Sequence, residues 1–400
     1  MKAIMAARRD LLLVLFSAAI GCTGFTTVPR MSVLVLAVPV LWTLARSRRA
    51  AFGVILAYKL AASRGLLPGA AVFLSEDHTF WQAAALYFLM SFGVSLPFLA
   101  LWDSDPELKA MAVIPAFLIA YPLPPLSLIG IINPLIASGT FFKGWGFAGM
   151  ITMLAVYVFC AASRKAAYTA LCVIAAFTIL APNSWYVPPE PKGIIAIDTS
   201  FGRLGSGSFS FERDYDRANM VFNDLRKRNV SQSEAKIVVL PETIAGRLNK
   251  AGLELWRDEI RHLLPDKAVI FGAELPAGDG RKYDNAVFMA HRGRIAYTRQ
   301  RIPVMYSMYK GPFAKTGANI HLWECGILPL PGGRKAAVIV CYEAFLTWPF
   351  LISMTQKPDV IICMANLWWC RDTSLPATQK TVVSLWSLLF GVPSVFARNI

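Results

Sequence analysis

The sequence predicts a multi-pass α-helical membrane bundle followed by an α/β domain. Three observations lead to this prediction. The 400 residues are 56% hydrophobic and only 16% charged, whereas roughly a quarter of the residues of a soluble domain are charged. Apolar residues concentrate before Pro182, in runs that reach or approach the length of a membrane span. Beyond Pro189, short apolar strands alternate with amphipathic helices, a pattern typical of α/β domains.

The first part of the chain contains seven apolar stretches, and we predict one membrane span from each, because a bilayer core needs about 20 apolar residues in a helix. The stretch over 110–142 holds five prolines and is too long for one simple span, so we expect a helix plus a re-entrant or interfacial segment there. Lys59 and Arg64 are expected to snorkel from a short third span. The stretches cover 11–29, 31–45, 50–63, 81–102, part of 110–142, 144–163 and 166–182.

Basic residues cluster between the apolar stretches, at 8–9, 46–49 and 164–165. With seven spans all three clusters fall on the cytoplasmic side, as the positive-inside rule prefers. The second part of the chain is then expected outside the cytoplasm. Because this topology accounts for much of the net charge of +15, nucleic-acid binding is the weaker interpretation of the basic composition.

We expect the bundle to occupy 1–185, a proline-containing linker 186–192 and the α/β domain 193–400. Unbroken Val and Ile runs in the domain suit strands that are covered on both faces. A hairpin is expected to turn at 291–293. The predicted strands cover 193–197, 236–240, 268–272, 285–290, 294–297, 336–340 and 360–364, and the predicted helices cover 211–227 and 253–264.

A cysteine follows directly on one of the buried strands. The strand over 336–340 ends in Cys341, Tyr342 and Glu343, followed by an expected helix start. Such a turn exposes the sulfur at the sheet edge and points backbone N–H groups toward it, which favours a thiolate and supplies an oxyanion site. Taken alone, the pattern more often marks a buried structural cysteine than a nucleophile.

Glu242 also follows a buried strand. Parallel neighbouring strands would bring its carboxylate and the Cys341 thiol to the same edge of one sheet, where ligand sites of α/β folds lie. The predicted site therefore contains a base that faces a nucleophile. Without Cys341, a surface carboxylate would be the simpler interpretation of Glu242.

These two segments resemble the nitrilase (carbon–nitrogen hydrolase) superfamily, whose members use a Glu, a Lys and a Cys on an α-β-β-α sandwich. Leu240-Pro241-Glu242-Thr243 is similar to the family's general-base segment, and Val340-Cys341-Tyr342-Glu343 is similar to its nucleophile segment. The resemblance implies that Glu242 is the base and Cys341 the nucleophile. It also implies that the Tyr342 backbone N–H holds the oxyanion and that Glu343 supports the site from behind.

Two further segments carry the resemblance. Tyr283-Asp284-Asn285-Ala286 is similar to a strand of the family, with a looser match, and Asn366 and Trp369 resemble the N-x-x-W of the membrane-bound branch. The resemblance implies that Asn285, Asn366 and Trp369 contact substrate.

The position of the family's lysine differs. In the segment 297–303, Arg299 stands where the family has its lysine, and Ser307 stands where membrane N-acyltransferases have a glutamate. Arg299 is expected to hold the oxyanion through charge-assisted hydrogen bonds. It is not an equivalent residue, because a guanidinium is bulky and does not readily pass a proton. The chain also stops at Ile400 without the family's last strands, so we expect the domain to be C-terminally short.

The membrane-bound branch that the chain resembles is apolipoprotein N-acyltransferase, and in length and layout the chain is similar to a nitrilase-like family of plasmid conjugal-transfer proteins. The resemblance implies a multi-pass protein of the bacterial inner membrane with a periplasmic C-terminal domain. A membrane lipid would serve as acyl donor, and conjugation proteins of the inner membrane would be partners. Resolution of a Cys thioester by water or an amine requires no metal, so no cofactor is implied.

Two function classes follow. One is a membrane-bound amidase or N-acyltransferase that acts through a thioester on Cys341. The alternative, motivated by Arg299, is a catalytically impaired interaction protein that assists the conjugation machinery. A transporter is the least favoured class, since the apolar part shows no charge ladder or paired repeat. The oligomeric state is left open.

Overall fold

The structure, a computed structural model, describes residues 2–26, 28–73, 80–203, 211–278 and 280–400. Its residues form two compact units. Unit 1 comprises Met1–Pro189, Phe345–Trp348 and Cys370–Val392. Unit 2 comprises Glu190–Ala344, Pro349–Trp369 and Pro393–Ile400. Two segments from the second half of the sequence therefore belong to the first unit.

Unit 1 is helical in its described part. Each predicted apolar stretch contains helix, and two of the helices begin at serine caps: Ser47 and Ser163 accept hydrogen bonds from backbone N–H groups of the first turn. The α-helices are α1 Lys2–Thr23, α2 Ala37–Leu44, α3 Arg48–Ala62, α4 Leu66–Phe73, α5 Phe80–Ala100, α6 Pro106–Ala120, α7 Phe147–Ala162 and α8 Arg164–Leu180.

The region 110–142 forms one α-helix and an irregular continuation. Asp105 caps α6 and Pro106 occupies its first position, while the prolines that follow Tyr121 prevent the helix from continuing. Short 3₁₀ segments at Leu126–Leu128 and Pro134–Thr140 complete the region. The expected helix is present, and the re-entrant or interfacial placement of the segment after it stays a prediction.

Membrane crossing is supported by length and composition for few of these helices. Among the described residues, α5 is the one helix long and apolar enough to cross a bilayer. The pair α3 and α4 passes the same test together but is bent by 54°. The apolar helical segments Pro29–Leu44 and Phe147–Ala162 are shorter than a membrane span. The seven-span bundle is therefore not confirmed.

Lys59 does not snorkel as expected. Its side chain is 1% exposed, and its ammonium donates hydrogen bonds to the backbone carbonyls of Ile131 and Ile132, the latter at 3.1 Å. The ammonium also lies 4.3 Å from the ring centroid of Tyr121. Ile132 has a φ of 54°, so the chain is not helical there, and its carbonyls attract a cation. Arg64 is exposed, as expected.

Unit 2 contains two sheets. The first has the strand order β1-β2-β3-β4-β5, with β6 beside β4, and the second has the order β10-β9-β8-β7. The strands are β1 Ile194–Ala196, β2 Ile237–Val239, β3 Ala268–Ala277, β4 Lys282–His291, β5 Arg294–Arg299, β6 Gly317–Ala318, β7 Ile327–Pro329, β8 Lys335–Val340, β9 Val360–Asn366 and β10 Ser394–Asn399. The remaining α-helices of the chain are α9 Phe211–Lys227, α10 Lys250–Leu263, α11 Thr347–Met354 and α12 Leu375–Phe390.

The parallel pairs are the strands with unbroken apolar runs. β1, β2 and β3 pair in parallel, as do β8, β9 and β10, while the β3-β4-β5 meander is antiparallel. The predicted α/β class and the hairpin turned at 291–293 are thus confirmed for this part of the chain.

Helices α9 and α10 cover one face of the first sheet. Aromatic rings form the centre of this core, with Trp256 stacked on Phe271 and Phe271 stacked on Phe288. Tyr297 of β5 stacks on Phe288 of β4, which defines the helix-covered face of the hairpin. Because side chains alternate along a strand, Asn285 lies on the opposite face.

Candidate active site

The candidate site is formed where one strand of each sheet ends. Glu242 follows β2 of the first sheet, and Cys341 follows β8 of the second. We expected the two strands to be neighbours in one sheet, but they belong to different sheets. The Cys341 thiol hydrogen-bonds to the Glu242 carboxyl. The predicted meeting of base and nucleophile is present, although it arises between sheets.

Cys341 occupies a sharp turn. Its φ of 45° lies in the left-handed region, which is uncommon for a residue with a side chain and occurs often at functional sites. A 3₁₀ turn begins at this residue, and the side chains of Cys341 and Tyr342 are buried. The turn after the strand is present as predicted, but Cys341 is buried rather than exposed at the sheet edge.

Glu242 is a buried carboxyl surrounded by donors. It is 4% exposed; Asn285 Nδ2 donates to Oε1 at 2.7 Å, and the backbone N–H of Asn366 donates to Oε2 at 2.9 Å. Burial raises the pKa of Glu242 to about 7, against the opposing effect of hydrogen bonds from Cys341, Asn285 and Asn366. A carboxyl that titrates near neutral pH suits a general base.

Glu343 is buried directly behind the nucleophile. Its carboxylate accepts hydrogen bonds from the backbone N–H groups of Val340 at 3.0 Å and Ile302 at 3.1 Å. It also pairs with Arg301, whose Nη2 lies 2.9 Å from Oε2, and both side chains are 0% exposed. The pair therefore ties the strand end before Cys341 to the segment at Ile302, while the supporting role of Glu343 in catalysis stays a prediction.

Arg301 itself is fully bonded. Besides Glu343, its guanidinium donates to the carbonyl of Val338 at 2.7 Å, the carbonyl of Pro349 at 2.8 Å and Ser353 Oγ at 2.6 Å. A buried charge is tolerable only with such compensation. The role of this arginine could not be predicted from the sequence, because its hydrogen-bond partners are distant along the chain.

Arg299 does not lie in the site. It pairs across the hairpin with Ala286 and therefore lies on the helix-covered face of β5, opposite to Asn285. Its guanidinium is 3.6 Å from Asp284 and bonds to Glu324, and its side chain is 36% exposed. The structure thus corrects the expectation that Arg299 reaches the oxyanion, since strand alternation turns it away.

Gln300 is the site residue that the sequence analysis missed. It is 1% exposed; its Nε2 donates to the carbonyl of Val340 at 3.0 Å, and its Oε1 accepts from Asn285 Nδ2 at 2.9 Å. Strand alternation could have identified it: neighbouring residues of a strand face opposite sides, so the residue after Arg299 shares the face of Asn285.

The residues predicted to contact substrate surround the base. Asn366 bonds to Glu242 through its backbone and to Thr243 Oγ1 through Nδ2 at 3.1 Å. Trp369 lies one step further out, with Nε1 donating to the carbonyl of Asn366 at 2.9 Å. Asn399 Nδ2 donates to Asn366 Oδ1 at 2.9 Å and fixes its orientation. Substrate contact by Asn285, Asn366 and Trp369 stays a prediction.

Metal-ligating residues do not cluster in the described ranges: no group of three or more His, Cys, Asp or Glu side chains there is placed to hold an ion. The site that the described residues form is built from a thiol, two carboxyls and amides.

Curated relatives align over nearly the whole chain. A protein described as "Probable conjugal transfer protein TraB" from Sinorhizobium fredii (strain NBRC 101917 / NGR234) is 29% identical over 97% of this chain and 97% of its own length. "Conjugal transfer protein TraB" from Agrobacterium fabrum (strain C58 / ATCC 33970) is 31% identical over 98% of this chain and 93% of its own length. The chain belongs to the TraB family of conjugal transfer proteins. No family model matches it.

Among solved structures, an amidase of the nitrilase superfamily from Nesterenkonia AN1 aligns with a TM-score of 0.39 and 14% identity, over 52% of this chain and 78% of that chain. A second structure of a Nesterenkonia amidase aligns with a TM-score of 0.38. A similarity of this size carries no activity to the TraB-family chain. Its α/β fold rests on the strand pairing of unit 2.

The TraB-family site has the parts for thiol chemistry. A thiol bonded to a carboxyl that titrates near pH 7 can pass its proton to that carboxyl, which leaves a thiolate beside a buried acid. Asn285 and Gln300 tie the carboxyl to the residue before the thiol. Acyl transfer through the sulfur is the chemistry that these groups fit.

Proposed function

We propose that this TraB-family protein is a membrane-bound amidase or N-acyltransferase that acts in plasmid conjugal transfer through a thioester on Cys341. The observation that carries the proposal is the hydrogen bond between the Cys341 thiol and the buried Glu242 carboxyl. A structural cysteine would need no base beside it, and a structural carboxylate would be placed at the surface or beside a cation.

Acylation begins when Glu242 takes the thiol proton and Sγ attacks an amide or ester carbonyl carbon. The C=O electron pair moves to oxygen, and the backbone N–H of Tyr342 is proposed to bind the resulting oxyanion. When the carbonyl re-forms, the C–N or C–O bond breaks and the leaving group takes the proton from Glu242. The product is a thioester between the acyl group and Cys341.

Deacylation uses the same base. Water or an amine attacks the thioester carbonyl and Glu242 accepts its proton; as the C–S bond breaks, Glu242 passes that proton to Sγ and the thiol is restored. With a lipid as acyl donor, the acceptor would be an amine and the outcome transfer rather than hydrolysis. We place the protein in the bacterial inner membrane with unit 2 in the periplasm, where the lipid and the conjugation proteins of that membrane are accessible.

The test is mass spectrometry of the intact full-length protein, purified in native lipid. We expect an acyl adduct on Cys341 that is lost on treatment with hydroxylamine, and loss of the adduct in Cys341→Ala and Glu242→Gln. Cys325→Ala, which removes a half-buried thiol of the same unit, is the control and is expected to retain it. An unmodified Cys341 in wild type, with and without added phospholipid, would contradict acyl transfer from lipid.

A second candidate is an interaction protein that assists conjugation without turnover. It is favoured by the position of Arg299. In sequence this residue stands where the nitrilase superfamily has its lysine, but in the structure it bonds to Asp284 and Glu324 on the other face of β5. Plasmid transfer at the wild-type frequency by Cys341→Ala, at equal immunoblotted membrane levels, would favour this candidate over the enzyme.

A further inference from the structure

Gln300 connects the two sheets at the candidate site. It follows the last residue of β5 in the first sheet, and its Nε2 donates to the carbonyl of Val340, the last residue of β8 in the second. Its Oε1 accepts from Asn285 Nδ2, which also donates to Glu242 Oε1. Two neutral amides therefore link the base to the residue before the nucleophile.

The bonding pattern defines which way each amide faces. A carbonyl oxygen can only accept, so the nitrogen of Gln300 faces Val340 and its oxygen faces Asn285. Asn285 must then present its nitrogen to Gln300, and the second hydrogen of that nitrogen reaches Glu242. Reversing the Asn285 amide would place its oxygen against two other acceptor oxygens.

The unused atom of Asn285 supports this assignment. Asn285 is 2% exposed, and its Oδ1 has no hydrogen-bond partner among the described residues. A buried acceptor without a donor is unfavourable, so this orientation persists because the neighbouring groups require the nitrogen. Gln300 is the neighbour that specifies it.

We propose that Gln300 is a positioning residue of the Cys341 site, which holds the Asn285 N–H toward Glu242 and ties the base to the nucleophile turn. The proposal rests on the proposed thiol chemistry. It assigns the positioning of the base to a neutral side chain on the face of the hairpin that carries Asn285.

The consequence concerns the pH at which the thiol reacts. The N–H of Asn285 bonds to the charged form of Glu242 and lowers its pKa against the effect of burial. If Gln300 no longer orients Asn285, that donor is lost, the pKa of Glu242 rises, and deprotonation of the thiol by Glu242 requires a higher pH. A shift of one pH unit corresponds to about a tenfold lower rate below the midpoint.

The experiment measures alkylation of Cys341 by iodoacetamide in the full-length protein from pH 5 to 9, quantified by mass spectrometry of the Cys341 peptide. Gln300→Met keeps the length of the side chain but removes both hydrogen bonds, and we expect its midpoint to move up by about one unit, or about tenfold slower labelling at pH 6. Arg299→Met is the matched control on the adjacent residue and is expected to keep the wild-type profile.

Gln300→Glu provides a second variant if Gln300→Met does not fold. Its carboxylate still accepts from Asn285, but it loses the donor to Val340 and adds a negative charge beside Glu242, so the midpoint is also expected to rise. Labelling of Cys325 in the same samples reports the intrinsic pH dependence of the reagent.

The outcomes separate two failures. If Glu242→Gln leaves the profile of Cys341 unchanged, Glu242 is not the base and the proposed function itself fails. If Glu242→Gln alters the profile but both Gln300 variants match wild type, the thiol chemistry stands and the positioning role of Gln300 is overturned.

Discussion

Arg299 and Arg301 are separated by one residue, yet they belong to two different regions of unit 2. Arg299 lies in a partly exposed cluster with Asp284, His321 and Glu324, in which the carboxylates are shared among several donors. Arg301 lies in a closed pair with Glu343, and neither side chain is exposed.

A charged side chain of this hairpin contributes to stability chiefly where it is buried with its partner. At the surface, solvent screens the cluster, so the identity of each partner matters little. In the interior, Arg301 and Glu343 each depend on the other, because an unpaired buried charge is costly. Gln300 lies between the two arginines in sequence and connects to Glu242 through the neutral amide of Asn285.

The buried pair is expected to show the largest effect on stability. Arg301→Met leaves the Glu343 carboxylate buried without its cation and should lower the free energy of unfolding by about 3–5 kcal/mol. Chemical denaturation of the full-length protein in detergent measures this. The double variant Arg301→Met with Glu343→Gln is expected to recover part of the loss, and a double variant as unstable as the sum of both single variants would contradict direct pairing.

Glu242 provides a prediction of intermediate size that depends on pH. Its pKa is about 7 in the folded protein and about 4.5 in a solvated reference. Because the folded state holds the proton more tightly, stability is greatest below pH 4.5 and falls as the pH rises toward 7. Glu242→Gln removes this dependence and should gain up to about 3 kcal/mol relative to wild type between pH 4.5 and 8. Parallel curves of stability against pH for both proteins would refute the raised pKa.

The surface cluster is expected to show the smallest effect. Arg299→Met should change the free energy of unfolding by about 1 kcal/mol or less, because the Glu324 carboxylate stays partly exposed and the buried Asp284 carboxylate keeps its bonds to Asn319 at 2.7 Å and His321 at 2.9 Å. The same denaturation series measures it. A loss as large as that of Arg301→Met would erase the distinction between the two regions.

Much of unit 2 could be predicted from its sequence. The apolar runs before Glu242 and Cys341 form buried parallel strands, and the turn at 291–293 sets the hairpin. Their periodicity is a local property, so it can be read without a structure. The pairing of the base with the nucleophile was also predictable, because strand ends of α/β folds converge.

The remainder depends on contacts that are distant along the chain. Strand periodicity does not tell which sheet a strand joins, so Glu242 and Cys341 were assigned to one sheet rather than two. Alignment to the motif of the nitrilase superfamily likewise pointed to Arg299 as the site residue. The register of the hairpin instead places Gln300, and not Arg299, on the face that carries Asn285. Lys59 was misjudged for a similar reason, since its carbonyl partners lie in an irregular segment more than 70 residues away.

Unit 1 incorporates chain that is translated late. Helix α12 contacts the 3₁₀ segment Pro134–Thr140, where a side chain in place of Gly139 would come within 2.7 Å of the backbone of Leu385 and Leu389. The Pro134–Thr140 segment must therefore wait until α12 has been translated before its packing surface is complete. During biosynthesis the helical unit cannot finish folding until most of the α/β unit has been translated, and a fragment that begins at Glu190 would carry α12 without the 3₁₀ segment against which it packs.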